Sequence, residues 1–437
     1  MTADVLPAVS AGTWLLLTYF SLFFSAMARS DTIAGLDIGT TKVCALIAEL
    51  DEHGQPLVTG IGLAPSYGMK KGVVVDIEAT TRSVEEAVQA ASRQAGREVE
   101  AVYVGVTGEH IASLNSSGRI AITHPDREIT HGDVERVLEA ARVIVLPPDR
   151  QIIHAIPRSY SIDGQNGIRH PVGMSGTRLE VETHIVHGAV TFLQNVEKCV
   201  NRAGLEVVEE VLEPLATAIA VLFPAEKELG VCLLDIGGGT SDLAVFAEGE
   251  ILYSAVIPVG GNHVTNDLAF GLTVGHDEAE RIKTESGSAL ADLVPEDDVI
   301  AIRQVGRSET RKLRRRALVP IIEPRMQELF QLVRMELERA DCLGRVPAGM
   351  VLTGGGSQLQ GCVEVAHQEL RMPVRVGRPQ GLGGLGETLD HPMYATAAGL
   401  LLYGARRTAT MAGRQGWRGG SRGLVRLWTR LREWFGV

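Results

Sequence analysis

Residues 33–48 read IAGLDIGTTKVCALIA, and residues 231–247 read VCLLDIGGGTSDLAVFA. Each is an apolar run ending in Asp, a turn rich in Gly and Thr, and a second alternating apolar run, the pattern of a β-hairpin. Glycine has no Cβ, so such a turn lets backbone N–H groups and hydroxyls close on an anion. Asp37 and Asp235 stand where strand meets turn, a place from which a carboxylate can hold Mg²⁺ through its waters. One Gly-rich hairpin is most often only a turn. Two copies 198 residues apart, both carrying Asp-Ile-Gly, predict two similar domains facing each other across a nucleotide.

The turns supply further candidates. Gly39, Thr40, Thr41 and Lys42 form the first, where Lys42 can meet a phosphate as a point charge. Gly237, Gly238, Gly239 and Thr240 form the second, with Asp242 behind it able to reach metal or water. A third cluster, AGMVLTGGGSQLQG over 348–361, reads as a buried strand entering Gly354, Gly355 and Gly356 and then a helix. Those glycines would let the adenosine end of a nucleotide lie on the loop. The cluster is neither a Walker A motif nor GxGxxG.

Composition bounds the rest. The chain has 437 residues, 45% hydrophobic and 22% charged, which excludes disorder and a multi-span membrane protein and suggests two to four domain-sized units. Its net charge of −11 argues against nucleic-acid binding, which needs a basic face. Glycine, at 49 residues, is in excess and points to backbone that approaches something closely. Cys44, Cys199, Cys232, Cys342 and Cys362 are scattered without a CxxC pair, as reduced thiols are, which speaks against a disulfide framework or zinc site. His184 and His187 sit in a strand pattern with no third ligand, so a metal site there is not expected.

The charge is uneven. Arg406 to Val437 holds eight arginines and one acid, a net +7, leaving −18 on residues 1–405. On a helix, Leu424, Leu427, Trp428, Leu431, Trp434 and Phe435 fall on one face, with Arg422, Arg426, Arg430 and Glu433 opposite. That is the composition of a helix lying in a membrane interface; the bland alternative is a terminal helix packed on its own domain. Residues 406–420 lack periodicity and are rich in Gly and Arg, so they are expected to form a flexible linker. Residues 1–30 are an apolar extension outside the fold. A signal peptide, an anchor and an upstream over-extension before Met27 all fit it, the last best, because the start lacks positive charge.

The order of phosphate hairpin, connecting helix, second phosphate hairpin, adenosine glycines and second connecting helix resembles the superfamily of actin, sugar kinases and heat-shock chaperone ATPases. Within it, the chain closely resembles the FtsA family of bacterial cell-division proteins, from about Thr32 to Gly404 and again in the terminal helix. The specific stretches are GLDIGTTKVCALIAEL, SYGMKKGVVVDIEAT, HPVGMSGTRLEVETHIV, GVCLLDIGGGTSDLAVF, IIEPRMQEL and VLTGGGSQLQG.

The resemblance implies an α/β, actin-like two-lobed fold with duplicated RNase H-like domains, an inserted subdomain and a C-terminal amphipathic helix. The first lobe would take 31–111 and 191–224, the insertion 112–190, and the second lobe 225–260 and 345–405. Residues 261–344 would cap the nucleotide and dock FtsZ, and 421–437 would target the membrane. It further implies ATP and Mg²⁺ as ligands, with at most slow hydrolysis, and self-assembly into protofilaments. The partners implied are the FtsZ C-terminal peptide, later division proteins and an anionic membrane surface on the cytoplasmic side of the inner membrane at midcell. Glu280 and Lys283, an i,i+3 pair, would lie near ribose and adenine unless they are an ordinary surface pair. Glu213, at the start of EPLATAIAVL, would orient the attacking water, or merely favour a helix N-terminus. The basic run 303–316 and the helix after it match the FtsZ-docking region, with Arg315, Arg316 and Arg325 as candidate contacts. Two rivals share the fold: a type IV pilus assembly ATP-binding protein and a small-molecule kinase.

Overall fold

Both quoted stretches form antiparallel hairpins in one register. Ile38 pairs with Val43 and Asp37 with Cys44; Ile236 pairs with Ser241 and Asp235 with Asp242. The turns close alike, by Gly39 N–H to Lys42 O and Gly237 N–H to Thr240 O, each at 3.0 Å. These hairpins belong to a computed structural model that describes residues 32–307 and 309–416. The readings of 1–30 and 421–437, with Leu424, Leu427, Trp428, Leu431, Trp434 and Phe435, lie outside the described residues.

Each hairpin extends into the same sheet topology. In the first sheet the strands run Glu206–Leu212, Ala101–Val106, Thr32–Ile38, Lys42–Leu50, Pro56–Pro65, with Gly383–Gly384 at the edge. In the second they run Val374–Val376, Met350–Thr353, Val231–Ile236, Ser241–Ala247, Glu250–Ile257. Three antiparallel strands followed by two parallel ones occur twice. The duplication expected from the repeat is therefore a duplication of whole domains. Parallel strands need crossovers, and helices supply them. Ile77–Ala95 starts where the Asp76 carboxylate accepts from Ala79 N–H at 3.0 Å and ends at Gly96 in a left-handed conformation. It lies directly on the strand beneath: a Cβ at Gly62 would stand 1.8 Å from Ala87 O.

The hairpin strands Thr32–Ile38, Lys42–Leu50, Val231–Ile236 and Ser241–Ala247 are buried on both faces, so they read as near-continuous apolar runs. Parity sorts their side chains. Ala34, Leu36 and Ile38 pack outward on the helices Ile77–Ala95 and Val190–Arg202, whereas Ile33, Cys44, Leu46 and Ala48 face inward. In the second sheet Cys232, Leu234 and Ile236 face the outer helices, including Val319–Arg339 and Cys362–Leu370, and Val231, Leu233, Ala244 and Phe246 face inward. A strand alternates with period two. The same inward parity then carries Asp37, Lys42, Asp235 and Asp242, and the four converge from two sheets on one layer.

That layer is made of two crossed helices, Glu213–Val221 and Ala395–Gly416. Their backbones nearly touch: a Cβ at Gly399 would lie 2.0 Å from Ala216 O. This corrects two sequence boundaries. Residues 395–405, assigned to the second lobe, pack between both sheets, and Gly35 approaches Ala397 O and Leu400. The linker over 406–420 does not begin at 406, because the helix continues to Gly416. Extending an existing helix avoids the nucleation penalty, and its Ala, Arg and Met residues favour helix enough to carry Gly413 at about 1 kcal/mol.

The insertion is a separate four-stranded sheet in the order Ala112–Ala121, Arg178–Ala189, Arg150–Ile162, Gln165–Ile168. Helix His131–Arg142 packs on it, and Thr130 and Asp133 form a reciprocal capping box. The basic run 303–316 forms a ribbon, Val299–Arg303 with Thr310–Arg314, leading into Val319–Arg339.

Candidate functional site

The inward acids meet where the two hairpin turns touch. A Cβ at Gly238 would fall 2.4 Å from Thr41 Cγ2, and one at Gly239 would fall 2.6 Å from Thr40 Oγ1. Glycine at those positions is what lets the turns approach. Asp37, Asp235 and Asp242 are 5%, 7% and 4% exposed, and Glu213, the first residue of its helix, is 8% exposed. Glu213 stacks over Gly105, where a Cβ would meet its Cγ at 3.0 Å.

One cation answers four acids. Lys42 Nζ donates to Asp37 Oδ2 at 2.8 Å. Burial is the largest influence on Lys42 and opposes its charge, but the Asp37 carboxylate together with Cys44 and Asp235 holds the ammonium above its ordinary range. Among the described residues no ion pair is formed by the other three acids. Burial pushes the Asp242 carboxyl up to about 8, against the pull of its hydrogen bond from Thr107, and the Asp235 and Asp37 carboxylates add to the rise. Burial also raises Asp235, and raises Glu213 well above the carboxylate range with help from Asp37, Asp242 and Asp235. Asp235 Oδ2 accepts from Thr217 Oγ1 at 3.1 Å and Thr396 Oγ1 at 2.9 Å. A surplus of buried carboxylates suits a hydrated divalent cation, which binds through a few carboxylates plus phosphate oxygens.

The glycine loop abuts this cluster. Met350–Thr353 is the buried strand, Gly355–Gln358 a single 3₁₀ turn and Cys362–Leu370 the helix. Gly354, at φ +80°, leaves no room for a Cβ, which would lie 2.2 Å from Asp235 Oδ1; a Cβ at Gly355 would meet nothing within 4 Å. Gly354 and Gly356 are thus packed, and Gly355 is the open surface of the loop. Helix Gly261–Leu272 begins on the second turn, with Gly261 N–H donating to Gly237 O at 2.9 Å. Glu280 and Lys283 brace it: Lys283 Nζ reaches Glu280 Oε2 at 2.7 Å, Thr265 Oγ1 at 2.9 Å and Gly261 O at 3.3 Å. They are neither isolated surface residues nor members of the acid cluster, but flank its turn.

The other candidates stand apart. Arg315 is tied to Ser286 O at 2.7 Å and Asp298 at 3.2 Å, Arg316 to Glu296 at 2.7 Å, and Arg325 to both Asp267 oxygens at 2.7 and 3.0 Å. The sequence marked them as contacts for acidic groups, and carboxylates of this chain already occupy them. His184 bonds Asn115 within the insertion and Ser254 of the second lobe, and His187 accepts from Arg150, so both serve packing. Among the described residues no group of three or more His, Cys, Asp and Glu side chains is set to ligate a metal ion directly, which leaves the acid cluster only the water-mediated mode, and no helix is long and apolar enough to cross a membrane. Sequence reasoning missed Thr107, Thr217 and Thr396. Only Thr217 carried a signal, lying one helical turn after Glu213 on the same face.

Comparison with known proteins follows the architecture. A model of the cell division protein FtsA family matches residues 232–399, and a model of the SHS2 domain inserted in FtsA matches 108–187. The cell division protein FtsA of Pseudomonas aeruginosa is 49% identical over 375 residues, covering 86% of this chain and 89% of that one. The chain belongs to the FtsA family of cell-division proteins. The FtsA of Escherichia coli K12 is 38% identical over 379 residues, with 85% and 90% coverage, and that of Bacillus subtilis 36% over 389, with 89% and 87%. Among solved structures, the PilM–PilN type IV pilus biogenesis complex aligns at TM-score 0.62 and 19% identity, covering 85% of this chain and 98% of the matched one. An MreB protein of Spiroplasma citri bound to ADP aligns at 0.52 and 14%, covering 89% and 99%. These two likenesses establish the actin-like fold alone; the FtsA relatives carry the family, and neither the pilus nor the kinase reading is favoured.

Proposed function

We propose that this FtsA-family chain binds ATP with Mg²⁺ between its hairpins, polymerises, and anchors the FtsZ ring to the cytoplasmic face of the inner membrane while helping to recruit later division proteins. The observation that carries the nucleotide part is the convergence of Asp37, Asp235, Asp242 and Lys42 from two glycine-rich hairpins, with Glu213 from helix Glu213–Val221 beside them. Lys42 and the turns Gly39–Thr41 and Gly237–Thr240 would hold phosphates. Asp37, Asp235 and Asp242 would hold Mg²⁺ through its waters, and the bound ion would neutralise both phosphates and acids. Gly354, Gly355 and Gly356 would take adenosine, with Glu280 and Lys283 toward the ribose. Glu213 would orient a water, and ion entry would return its carboxyl to the charged form that this needs.

Assembly is what would make the tail effective. Each arginine near an anionic surface adds only about 1 kcal/mol, and a polymer aligns many tails. The inserted subdomain would serve contacts along the protofilament and with later division proteins. The FtsZ C-terminal peptide would dock at the basic ribbon and helix Val319–Arg339. Of the three arginines, Arg316 has the most exposed side chain, at 37%, and its partner Glu296 is 86% exposed. Sedimentation with FtsZ and anionic vesicles, with and without ATP, tests the whole reading: ATP should increase both pelleted fractions. Arg316→Glu should weaken FtsZ binding several-fold with unchanged ATP binding. Equal vesicle binding with and without ATP, where ATP changes assembly, would contradict the tethering scheme.

A further inference from the structure

Thr107 is the first residue after strand Ala101–Val106, where the first lobe hands the chain to the inserted subdomain. Its hydroxyl is 8% exposed as a residue and donates to Asp242 Oδ1, a carboxylate of the second lobe 135 residues away. The surrounding loop is wedged into both hairpins. Gly108, at φ +126°, backs onto Gly72, whose own Cβ would lie 2.9 Å from Gly108 Cα. Gly72 N–H donates to Thr40 Oγ1 at 3.3 Å, Lys71 pairs with Glu109 at 2.9 Å, and Lys71 Cα lies 3.0 Å from where a Gly239 Cβ would be. The SYGMKKG stretch and the root of the insertion thus form one unit around the two turns.

Asp235 and Asp242 are held differently. Asp235 has two hydroxyl donors, Thr217 and Thr396, whereas among the described residues the side-chain donor recorded for Asp242 is Thr107. We propose that Thr107 is a positioning residue for the divalent cation: across the lobe boundary, it orients Asp242 to receive the ion's water shell. The inference rests on the MgATP reading of the site. Outer-shell partners of metal-binding carboxylates typically change metal affinity about 10–100-fold, and an ion held through waters should fall at the lower end.

The test measures binding of a fluorescent ATP analogue by the full chain over a Mg²⁺ titration, and again in EDTA. Thr107→Val should raise the Mg²⁺ concentration for half-maximal binding about tenfold, leave the affinity in EDTA unchanged, and Thr107→Ser should restore the wild-type requirement. A wild-type Mg²⁺ requirement in Thr107→Val overturns the inference while leaving the nucleotide reading intact. Equal loss with and without Mg²⁺, or no rescue by Thr107→Ser, also overturns it, because the residue then serves folding. Wild-type protein that binds no ATP overturns both.

Discussion

The two hairpins share register, turn closure and the parity that aims their acids inward, yet they differ in charge. The first carries its own counterion: opposite Asp37 in the ladder stands Cys44, and Lys42 closes on Asp37 at 2.8 Å. The second places Asp242 opposite Asp235 and offers only hydroxyls, from Thr107, Thr217 and Thr396. One backbone device has been used twice, once electrically complete and once acid-rich. On the proposed reading, the acids of the second hairpin would depend on a metal ion more than Asp37, which Lys42 already pairs.

The largest expected effect tests that asymmetry directly. Losing one member of a buried charged pair costs about 2–5 kcal/mol, so Asp235→Asn should raise the Mg²⁺ requirement for ATP binding on the order of 100-fold. Asp37→Asn, already neutralised by Lys42, should change it far less; equal effects in a calorimetric titration would erase the distinction. Next, Lys42→Met strands Asp37 without its partner. Because the Lys42 side chain is 24% exposed, the loss should be about 2 kcal/mol, below the 3–5 of a fully buried pair. Chemical denaturation should show most of it recovered in Lys42→Met/Asp37→Asn, and no recovery would mean that the pair is not the cause.

Part of the pH dependence should come from Asp242 in the second hairpin. Asp242 is raised from 3.8 to about 8 in the folded protein, so between those values the fold holds a proton that the unfolded chain does not. Stability without metal should fall as pH rises through that window, and Mg²⁺ should bind more tightly, since it displaces the proton. Thermal denaturation of Asp242→Asn should show a flatter profile; an unchanged slope would place the titration elsewhere. The smallest effect concerns the contact between turns. Gly238→Ala should cost about 1 kcal/mol of ATP binding by pushing on Thr41, and Thr41→Ala should relieve it. A double variant as weak as the single one would show that the turns do not need to meet.

Some of this could be read before any coordinates. The repeat at 33–48 and 231–247 fixes strand, turn and strand by residue type, and the period of two then decides which side chains share a face. That is local information, and it located Asp37, Asp235 and Asp242. Thr107 and Thr396, which help to hold them, were illegible, because a hydroxyl bonded 135 or 161 residues away leaves no periodic trace. The Arg315 guanidinium in the basic run and that of Arg325 in the helix after it looked available, while their partners Asp298 and Asp267 lie elsewhere in the chain. The supposed linker failed for a different reason. Composition rich in Gly and Arg suggests coil, but a helix already packed between two sheets imposes its geometry on the residues that follow.

That central helix has a mechanical consequence. Its first turn reaches the second hairpin's acid through Thr396, and farther along Arg407 clamps Glu209 at 2.9 and 3.0 Å beside Tyr403. At 22 residues it is about 33 Å long. A stiff element of that length is a lever arm: a tilt of about 5° at its base swings the far end by roughly 3 Å. Small movements between the lobes would then arrive at Gly416 magnified.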